Sequence, residues 1–432
     1  MAESTFPQGA DWAQRAERVI PGGLNSFSRY LGPPYGFARS AGAHVWDFDG
    51  NRYVDYHAAF GAIVLGHNDP DVDAAVAGAL SPVDLMGVGI SRAEVEVAEL
   101  VCSVIPSADQ MICCTSGSEA TFHAIRLSRS VTGRRMVVKV QGGYHGWHDA
   151  VARNVISPPE LAYGLDPMSS GILPETLEST LIAEFNDLGS LEDLYTRYPE
   201  QIAAVIVEPI PHNVGALLPD PGYLEGLRKV TEAQGSLLIF DEVITGFRHA
   251  LGGWQEISGV TPDLTSFGKA MGNGHPIAGL AGRYEHMQRF NSAGGSVLLA
   301  GTFTGHPTAC AAAVATINKL RDAKVFERTA ELGQRMRDGL TGIVNELSLP
   351  ATVRGYGSVF CMYFLEGEVH GYRDLMRNDN ELYRDYHRRM TDRGFLMLPM
   401  SLKRNHVSFA HTEDDIDRTL EASRDVLKEL VH

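Results

Sequence analysis

The chain has 432 residues, 44% of them apolar and 21% charged, which is typical of a globular protein of two or three domains. Its 37 Lys and Arg residues against 53 Asp and Glu give a net charge of −16, which argues against nucleic acid or an anionic membrane as the main partner. Because no segment is apolar enough to span a membrane and the N-terminus lacks the apolar region of a secretory signal, we expect a cytoplasmic protein.

The N-terminal part of the chain is predicted to contain a helix followed by a β-hairpin. The helical pattern of DWAQRAERVI (11–20) stops at a Pro-Gly-Gly sequence. In AHVWDFDGNRYVDY (43–56), the dipeptide Asp49-Gly50 stands between alternating residues, which is typical of a hairpin turn.

From about residue 95, short apolar segments alternate with helical patterns. The strand-like segments are 136–140, 203–209 and 236–243, and the helical ones include 117–133 and 222–235. This alternation predicts an α/β fold with a sheet covered by helices on both faces, whose ligands bind beyond the carboxyl ends of the strands. The tail, from about residue 320, has long charged helices around one strand and is predicted to be a separate α+β domain.

The segment CCTSGSEATFHAIRLSR (113–129) is a candidate anion site. A strand leads into the turn Ser116-Gly117-Ser118 and an amphipathic helix follows, so free backbone N–H groups at the helix start can bind a phosphate. The alternative is a capping box in which Ser116 and Glu119 only close the helix end. Taken alone, the segment favours the capping box.

The loop VQGGYHGWHD (140–149) is a candidate ring-binding site. Tyr144, between Gly143 and His145, can lay its ring against a planar ligand, and the alternative is an aromatic loop that only packs. His145 and His148 are three residues apart, but no third ligand has a matching spacing. Because the five cysteines also show no CxxC spacing, neither a metal site nor a disulfide framework is expected.

Two charged residues stand where burial would be costly. Asp241 lies at the carboxyl end of the apolar strand in LLIFDEVITGFR (237–248), where an acid needs a cationic partner such as a protonated ring nitrogen. Lys269 lies among glycines in TSFGKAMGNGHP (265–276), where a partly desolvated amine can form an imine with an aldehyde. The alternatives are a strand end that reaches solvent and a loop lysine beside turn glycines.

Together, these four features match one molecule. Pyridoxal 5'-phosphate has a phosphate for the helix start, a flat ring for the tyrosine, a basic nitrogen for the acid and an aldehyde for the lysine. The ordered set therefore predicts pyridoxal phosphate as the cofactor.

The motifs SGSEA, GGYHGWHD, VEP, FDEVITGFR, PDLTSFGKAMGNGHP and GTFTGHP, in this order, resemble those of class III pyridoxal-phosphate-dependent aminotransferases. Within that family, the chain is most similar to the branch that contains glutamate-1-semialdehyde 2,1-aminomutase, over nearly its whole length. The resemblance implies the PLP-dependent transferase fold type I. A large α/β domain with a mostly parallel central sheet would span residues 61–315, and residues 1–60 and 316–432 would form the small α+β domain.

The resemblance also implies roles for single residues. Lys269 would form a Schiff base with the cofactor and move the substrate proton, and Asp241 would keep the ring nitrogen protonated. Tyr144 and Val243 would cover the two ring faces. Thr302 would reach the phosphate of the neighbouring subunit's cofactor, which implies a homodimer. The other implied cofactor contacts are Ser116, Gly117, Ser118, His145, Glu208 and Asn213.

The chain departs from the aminomutase pattern at the substrate residues. Ser26 and Arg29 are kept, so a substrate carboxylate can still meet a guanidinium group. Gln141 and Lys403 each stand where the aminomutase has an acid, and the aminomutase lid sequence is unrecognisable here. These departures predict a different substrate, with a second anionic group bound by Lys403 or Arg404. The alternative is that Lys403 points to solvent.

The leading prediction is an aminotransferase that moves an amino group between an amino acid, such as a β-, aromatic or D-amino acid, and a keto acid or aldehyde. The alternative is an aminomutase of the glutamate-1-semialdehyde type, which keeps its diamine intermediate bound. An epimerase or decarboxylase on the same scaffold ranks below both. A non-catalytic protein that has kept the fold is disfavoured because Lys269, Asp241 and Tyr144 are all present.

Overall fold

The computed structural model describes residues 6–31, 35–322 and 324–431. The strands in these residues form three sheets, of four, seven and three strands. None of the helices in the same residues is long and apolar enough to cross a membrane.

The N-terminal residues form a helix and a small sheet that the other end of the chain completes. Helix α1 spans Pro7–Val19, and the strands β1 (Phe37–Ala41), β2 (His44–Asp47) and β3 (Arg52–Asp55) form an antiparallel meander. The predicted hairpin turn is confirmed, with Gly50 at a φ of 88°. Strand β13 (Phe395–Leu396) pairs in parallel with β3, so residues from both halves of the chain share one sheet.

The central sheet is mostly parallel, as predicted. Its strands are β4 (Gln110–Cys114), β5 (Met136–Val140), β6 (Thr180–Ala183), β7 (Ile202–Val207), β8 (Leu237–Asp241), β9 (Leu264–Phe267) and β10 (Ala278–Gly282). Their order is β4-β10-β9-β8-β7-β5-β6, and β10 runs antiparallel to both of its neighbours. Every residue of β5, β7 and β8 is buried, which explains why these strands read as nearly continuous apolar runs.

Helices flank the central sheet and connect its strands. The predicted helices are confirmed as α5 (Gly117–Thr132), which follows β4, and α8 (Tyr223–Gln234), which precedes β8. The other helices of this part are α2 (Ala58–Gly61), α3 (Pro70–Ala79), α4 (Arg92–Val104), α6 (Pro174–Glu178), α7 (Leu188–Arg197), α9 (Gly253–Ser258), α10 (Tyr284–Met287) and α11 (Pro307–Leu320).

The C-terminal residues form an α+β layer. Its antiparallel sheet contains β11 (Thr352–Arg354), β12 (Val359–Tyr363) and β14 (Asn405–His406). Its helices are α12 (Lys324–Glu346), α13 (Tyr372–Leu375), α14 (Asn380–Asp392) and α15 (Glu413–Val431). The two long predicted helices, α12 and α15, pack against each other over an apolar core. The domain boundaries near residues 60 and 315 stay a prediction.

Six strands of the central sheet end at one edge. Strands β5 to β9 are parallel, and β4 has the same direction because β4 and β9 are both antiparallel to β10. At or just beyond the carboxyl ends of five of these strands lie Gly117, Tyr144, Glu208, Asp241 and Lys269. The topology therefore collects residues that are more than 150 positions apart in the chain at one place, where α/β sheets bind their ligands.

Candidate active site

A cavity of about 270 Å³ lies beyond these strand ends, and we call it the inner cavity. Most of the predicted cofactor residues line it. These are Ser116, Gly117, Ser118, Tyr144, His145, Glu208, Asp241, Val243 and Lys269. The structure therefore brings together side chains that the sequence distributes over five loops.

The N-terminus of α5 forms part of the inner cavity. Ser116 accepts a hydrogen bond from Glu119 N (3.3 Å), and the Glu119 carboxylate accepts one from Thr115 N (2.8 Å), so the helix end is capped. Within the described residues, the N–H groups of Gly117 and Ser118 have no acceptor. Capping and anion binding are therefore compatible here, because the cap leaves two donors of the first turn free.

Asp241 is held rigidly in the cavity wall. It is 3% exposed, and its carboxylate accepts hydrogen bonds from Val243 N (3.1 Å) and Ser266 Oγ (3.0 Å). Its other oxygen lies 2.8 Å from His145 Nδ1, while His145 Nε2 is buried without a partner among the described residues. His148 contacts a threonine instead, and no group of three His, Cys, Asp or Glu residues in the described ranges could hold a metal ion.

Lys269 is the first residue of a short 3-10 helix (Lys269–Gly272) in the connection between β9 and the antiparallel strand β10. Its φ of 44° is in the left-handed region, which side chains other than glycine adopt rarely, so the backbone is strained at the lysine itself. Burial, reinforced by nearby Arg404 and opposed by Asp241 and Glu208, lowers the pKa of Lys269 to about 8. An amine with this pKa exchanges its proton readily near neutral pH.

Glu208 anchors the loop that carries Tyr144. Its carboxylate accepts hydrogen bonds from Tyr144 N (2.9 Å) and Asn213 Nδ2 (3.1 Å). Burial raises the pKa of Glu208, and burial also raises the pKa of the Tyr144 phenol. The tyrosine is thus fixed through its backbone, which leaves its ring to line the cavity.

A second cavity, of about 490 Å³, shares Tyr144 and Lys269 with the inner cavity, and we call it the outer cavity. Its polar lining consists of Ser26, Ser28, Asp166, Asn213, Lys403 and Arg404. Its apolar lining consists of Phe60, Val155, Ile156, Pro167, Met168, Leu398, Pro399 and Met400. This composition suits a ligand with an anionic group and an apolar body.

Lys403 and Arg404 are both buried, so Lys403 does not point to solvent. Lys403 Nζ lies 3.4 Å from Asn213 Oδ1, and Arg404 donates to Phe60 O (2.7 Å). Burial, reinforced by Arg404, lowers the pKa of Lys403 to about 7, and burial lowers the pKa of Arg404 to about 10. Neither cation forms an ion pair with an acid of the described residues, which leaves both able to bind an anion from outside the chain.

Three predicted residues lie outside both cavities. Arg29 is exposed and lines a neighbouring cavity of about 910 Å³. Gln141 is fully buried in hydrogen bonds to the loop that follows it. Thr302 is exposed on the loop before α11 and is not among the described residues that line the two cavities. The substrate roles of Arg29 and Gln141 and the cofactor role of Thr302 stay predictions.

Phe60 and the turn that carries it are functional features that the sequence does not reveal. Ala58, Ala59 and Phe60 have φ values of 48°, 49° and 60°, which no pattern in the sequence indicates because such turns normally use glycine. Two buried guanidinium groups hold the turn, since Arg404 donates to Phe60 O and Arg248 donates to Gly61 O. Both arginines come from distant parts of the chain, so only the folded structure shows this support.

The geometry agrees with comparisons to known proteins. Residues 29–427 match the family model of the class III aminotransferases. The chain is 39% identical over 417 residues to a glutamate-1-semialdehyde 2,1-aminomutase of Brevibacillus brevis, with 96% of each chain covered. Its structure is similar to an omega-transaminase from Sphaerobacter thermophilus, with 31% identity, a TM-score of 0.93 and coverage of 99% and 100%. It is also similar to a β-phenylalanine aminotransferase from Variovorax paradoxus, with 28% identity, a TM-score of 0.89 and coverage of 98% and 94%.

Proposed function

The chain belongs to the class III aminotransferase family, and from this premise we propose that it is an aminotransferase that moves an amino group between an amino acid and a keto acid or aldehyde. Its fold is that of the fold type I transferases, which use pyridoxal phosphate. One observation supports the proposal most directly. The Lys269 amine lines both the inner cavity, whose residues suit the cofactor, and the outer cavity, whose cations suit a carboxylate.

The residues of the inner cavity fit pyridoxal phosphate. The free N–H groups of Gly117 and Ser118 would bind the phosphate, and the Asp241 carboxylate would pair with the ring nitrogen. Tyr144 and Val243, which line the same cavity, would flank the ring. When bound, the cofactor supplies the carbonyl that takes up the amino group and the ring that withdraws electrons from the substrate carbon.

Lys269 would act as the acid and base of the reaction. Its pKa of about 8 lets it take a proton from the substrate carbon and return it near neutral pH. Asp241 would hold a positive charge at the ring end of the cavity, and its three hydrogen bonds keep it from turning away. We expect His145 to contribute through Asp241 alone.

The outer cavity would bind an amino acid through its carboxylate. Lys403 and Arg404 supply the cationic donors, and the apolar lining accommodates a hydrophobic side chain. We therefore propose a β- or aromatic amino acid as the donor, in agreement with the name of the Variovorax protein, a β-phenylalanine aminotransferase. Ser26 lines the same cavity and is proposed as a further contact.

The alternative function is an aminomutase of the glutamate-1-semialdehyde type, which the Brevibacillus relative supports. A mutase must retain an intermediate that carries two amino groups. In this chain two cations, Lys403 and Arg404, and one acid, Asp166, line the outer cavity, and the excess of positive charge disfavours a second ammonium group. For this reason we place the transferase first.

We also propose that the chain is a homodimer. Several apolar side chains are exposed on residues 80–90 and on the loop that carries Thr302. Leu80, Met86, Val88, Ile90, Leu298 and Phe303 are all at least 60% exposed. Apolar surface of this kind on a single chain is typical of a subunit interface, and Thr302 would then reach the partner's site.

A single-turnover experiment separates transferase from mutase. The holoenzyme is mixed with an excess of amino donor and no acceptor, and the oxo product is counted. A transferase stops after one equivalent per site and resumes when a keto acid is added, whereas a mutase continues to turn over its own substrate without any acceptor. Lys269→Ala is the control and should form no product. Continuous turnover of a single amino substrate would exclude the transferase.

A further inference from the structure

Residues 150–168, which we call the wall loop, form part of the outer cavity. Val155, Ile156, Pro167 and Met168 from this loop supply half of the apolar lining. The loop folds back on itself, because Asn154 N donates to Asp166 O (2.9 Å) and Met168 N donates to Ala152 O (2.9 Å). Its two ends therefore support each other as a short antiparallel pair.

The wall loop contains two residues with left-handed backbone conformations. Asn154 has a φ of 51° and Tyr163 a φ of 62°. Asparagine tolerates this conformation, whereas a tyrosine adopts it only when its surroundings fix it. The loop therefore needs support from outside itself to keep this shape.

Gln141 supplies this support from the end of β5. Its side chain is fully buried, and its Oε1 accepts hydrogen bonds from Asn154 Nδ2 (3.0 Å) and from Tyr163 N (2.9 Å). Its Nε2 donates to Ser157 Oγ (3.1 Å). One neutral amide thus joins three points of the loop, including both left-handed residues.

Two buried cations fix the base of the wall loop. Arg153 donates to the carbonyl groups of Leu177 (2.6 Å), Thr180 (2.8 Å) and Gly164 (2.6 Å). Lys139, inside β5, donates to Arg153 O (2.5 Å). All these acceptors are backbone oxygens, so the bonds hold the path of the chain, and the loop is joined to the central sheet before any ligand binds.

We propose that the wall loop is a fixed wall of the outer cavity and that Gln141 is the positioning residue that sets it against the substrate side chain. This inference rests on the proposed function for the nature of the ligand. A fixed apolar wall gains contact with a bulky apolar side chain and little with a small one. The wall loop therefore selects amino acids that carry a large apolar group, such as a phenyl ring, beside the carboxylate that Lys403 and Arg404 bind.

The test uses Gln141→Leu, which keeps the volume of the side chain and removes its three hydrogen bonds. Hydrogen exchange of the holoenzyme without substrate should become at least tenfold faster at the amides of Tyr163 and Met168. The ratio of kcat/KM for 3-amino-3-phenylpropanoate to that for 3-aminobutanoate, which differ by phenyl for methyl, should fall at least tenfold. Cofactor content should not change. Gln234→Leu, at an exposed position of α8, is the matched control and should leave both readouts unchanged.

The outcomes are distinct. Unchanged exchange in Gln141→Leu would overturn the support role, and faster exchange with an unchanged ratio would overturn the selectivity role. If Gln141→Leu does not fold, Ser157→Ala removes only the hydrogen bond between Gln141 Nε2 and Ser157 Oγ. This variant should show the same changes in exchange and in the kcat/KM ratio, with a smaller magnitude. No change in Ser157→Ala would overturn the proposal. A wild-type protein that transfers no amino group would refute the proposed function, while the exchange measurement would still decide whether Gln141 fixes the loop.

Discussion

Lys403 and Arg404 lie side by side in the outer cavity, where burial would normally require an acidic partner. Their hydrogen bonds go to an amide oxygen, a backbone carbonyl and an imidazole, none of which is charged as an acid. The protein carries this unfavourable arrangement at the position where the proposed substrate places its carboxylate. At the scale of residues, the cavity is therefore complementary to an anion that the chain itself does not supply.

The titration of Lys403 gives a prediction for substrate binding. Its pKa of about 7 means that the ammonium is present below pH 7 and is lost as the pH rises through this value, so the KM for a keto acid should rise by up to about tenfold per pH unit above it. Lys403→Arg stays charged and should show a flat KM. Lys403→Met should show a KM raised by about 10–100-fold at low pH, the equivalent of one charged hydrogen bond.

Steady-state kinetics with one keto acid from pH 6 to 9 would test this. Arg404 and Lys269 also face Lys403, but their pKa values are higher, at about 10 and about 8. As the pH rises, Lys403 should therefore lose its proton before the other two, and the KM of the wild type should begin to rise near pH 7. Identical profiles for the wild type and Lys403→Arg would show that Lys403 does not bind the carboxylate.

Some residues of the site can be identified from the sequence, and the environment of others cannot. Gly117, Asp241 and Lys269 each lie next to a strand end, so a local pattern was sufficient to find them. The burial of Lys403 could not be predicted, because its surroundings include residues from distant parts of the chain, such as Asn213, which is 190 positions away. The hydrogen bonds of Gln141 could not be predicted either, because its partners in the wall loop come close to it only when the chain folds back.

At the scale of elements, the start of α5 is packed too closely for any side chain at its first residue. A Cβ atom on Gly117 would lie 2.8 Å from Val243 Cγ2. The same valine lines the inner cavity, so a displaced Val243 would move into the space proposed for the cofactor ring. The close contact between the start of α5 and Val243, two residues after β8, therefore leaves no room for a side chain at position 117.

Gly117→Ala should weaken cofactor binding by about 10–100-fold, the range that corresponds to overpacking a core by one methyl group. Spectroscopic titration of the apoprotein with pyridoxal phosphate would measure this. Val243→Ala in the same protein should restore binding by returning the space. Gly78→Ala on α3, where an added Cβ meets open space, is the control. Equal affinity in Gly117→Ala and the wild type would show that the helix start does not border the cofactor.

Elements with a strong pattern were predicted well. Strand β5 has the predicted bounds, and the ends of β7 and β8 lie within two residues of the predicted ones, because buried parallel strands are apolar throughout. The direction of β10 was not predicted, since a strand of small residues reads the same in either orientation. The pairing of β13 with β3 is also outside the reach of local patterns.

At the scale of the whole molecule, the exposed apolar residues predict that the dimer is required for activity. Phe303, beside Thr302, is 60% exposed, and Phe303→Asp would place a charge in the proposed interface, where an unpaired charge costs several kcal/mol. We expect monomers by light scattering, with loss of most activity. Leu173→Asp, at a similarly exposed leucine before α6, is the control. A dimeric, active Phe303→Asp protein would place the interface elsewhere.

The shared sheet of β3 and β13 has a consequence for synthesis on the ribosome. About 340 further residues must be synthesised after β3 before its parallel partner β13 exists. At ordinary rates of translation, this synthesis takes roughly 17–70 s. During that time the nascent hairpin exposes an unpaired edge, which other chains can pair with. We therefore expect the yield of native protein to depend on chaperones that shield this edge during synthesis. The stability of the folded protein alone does not determine this yield.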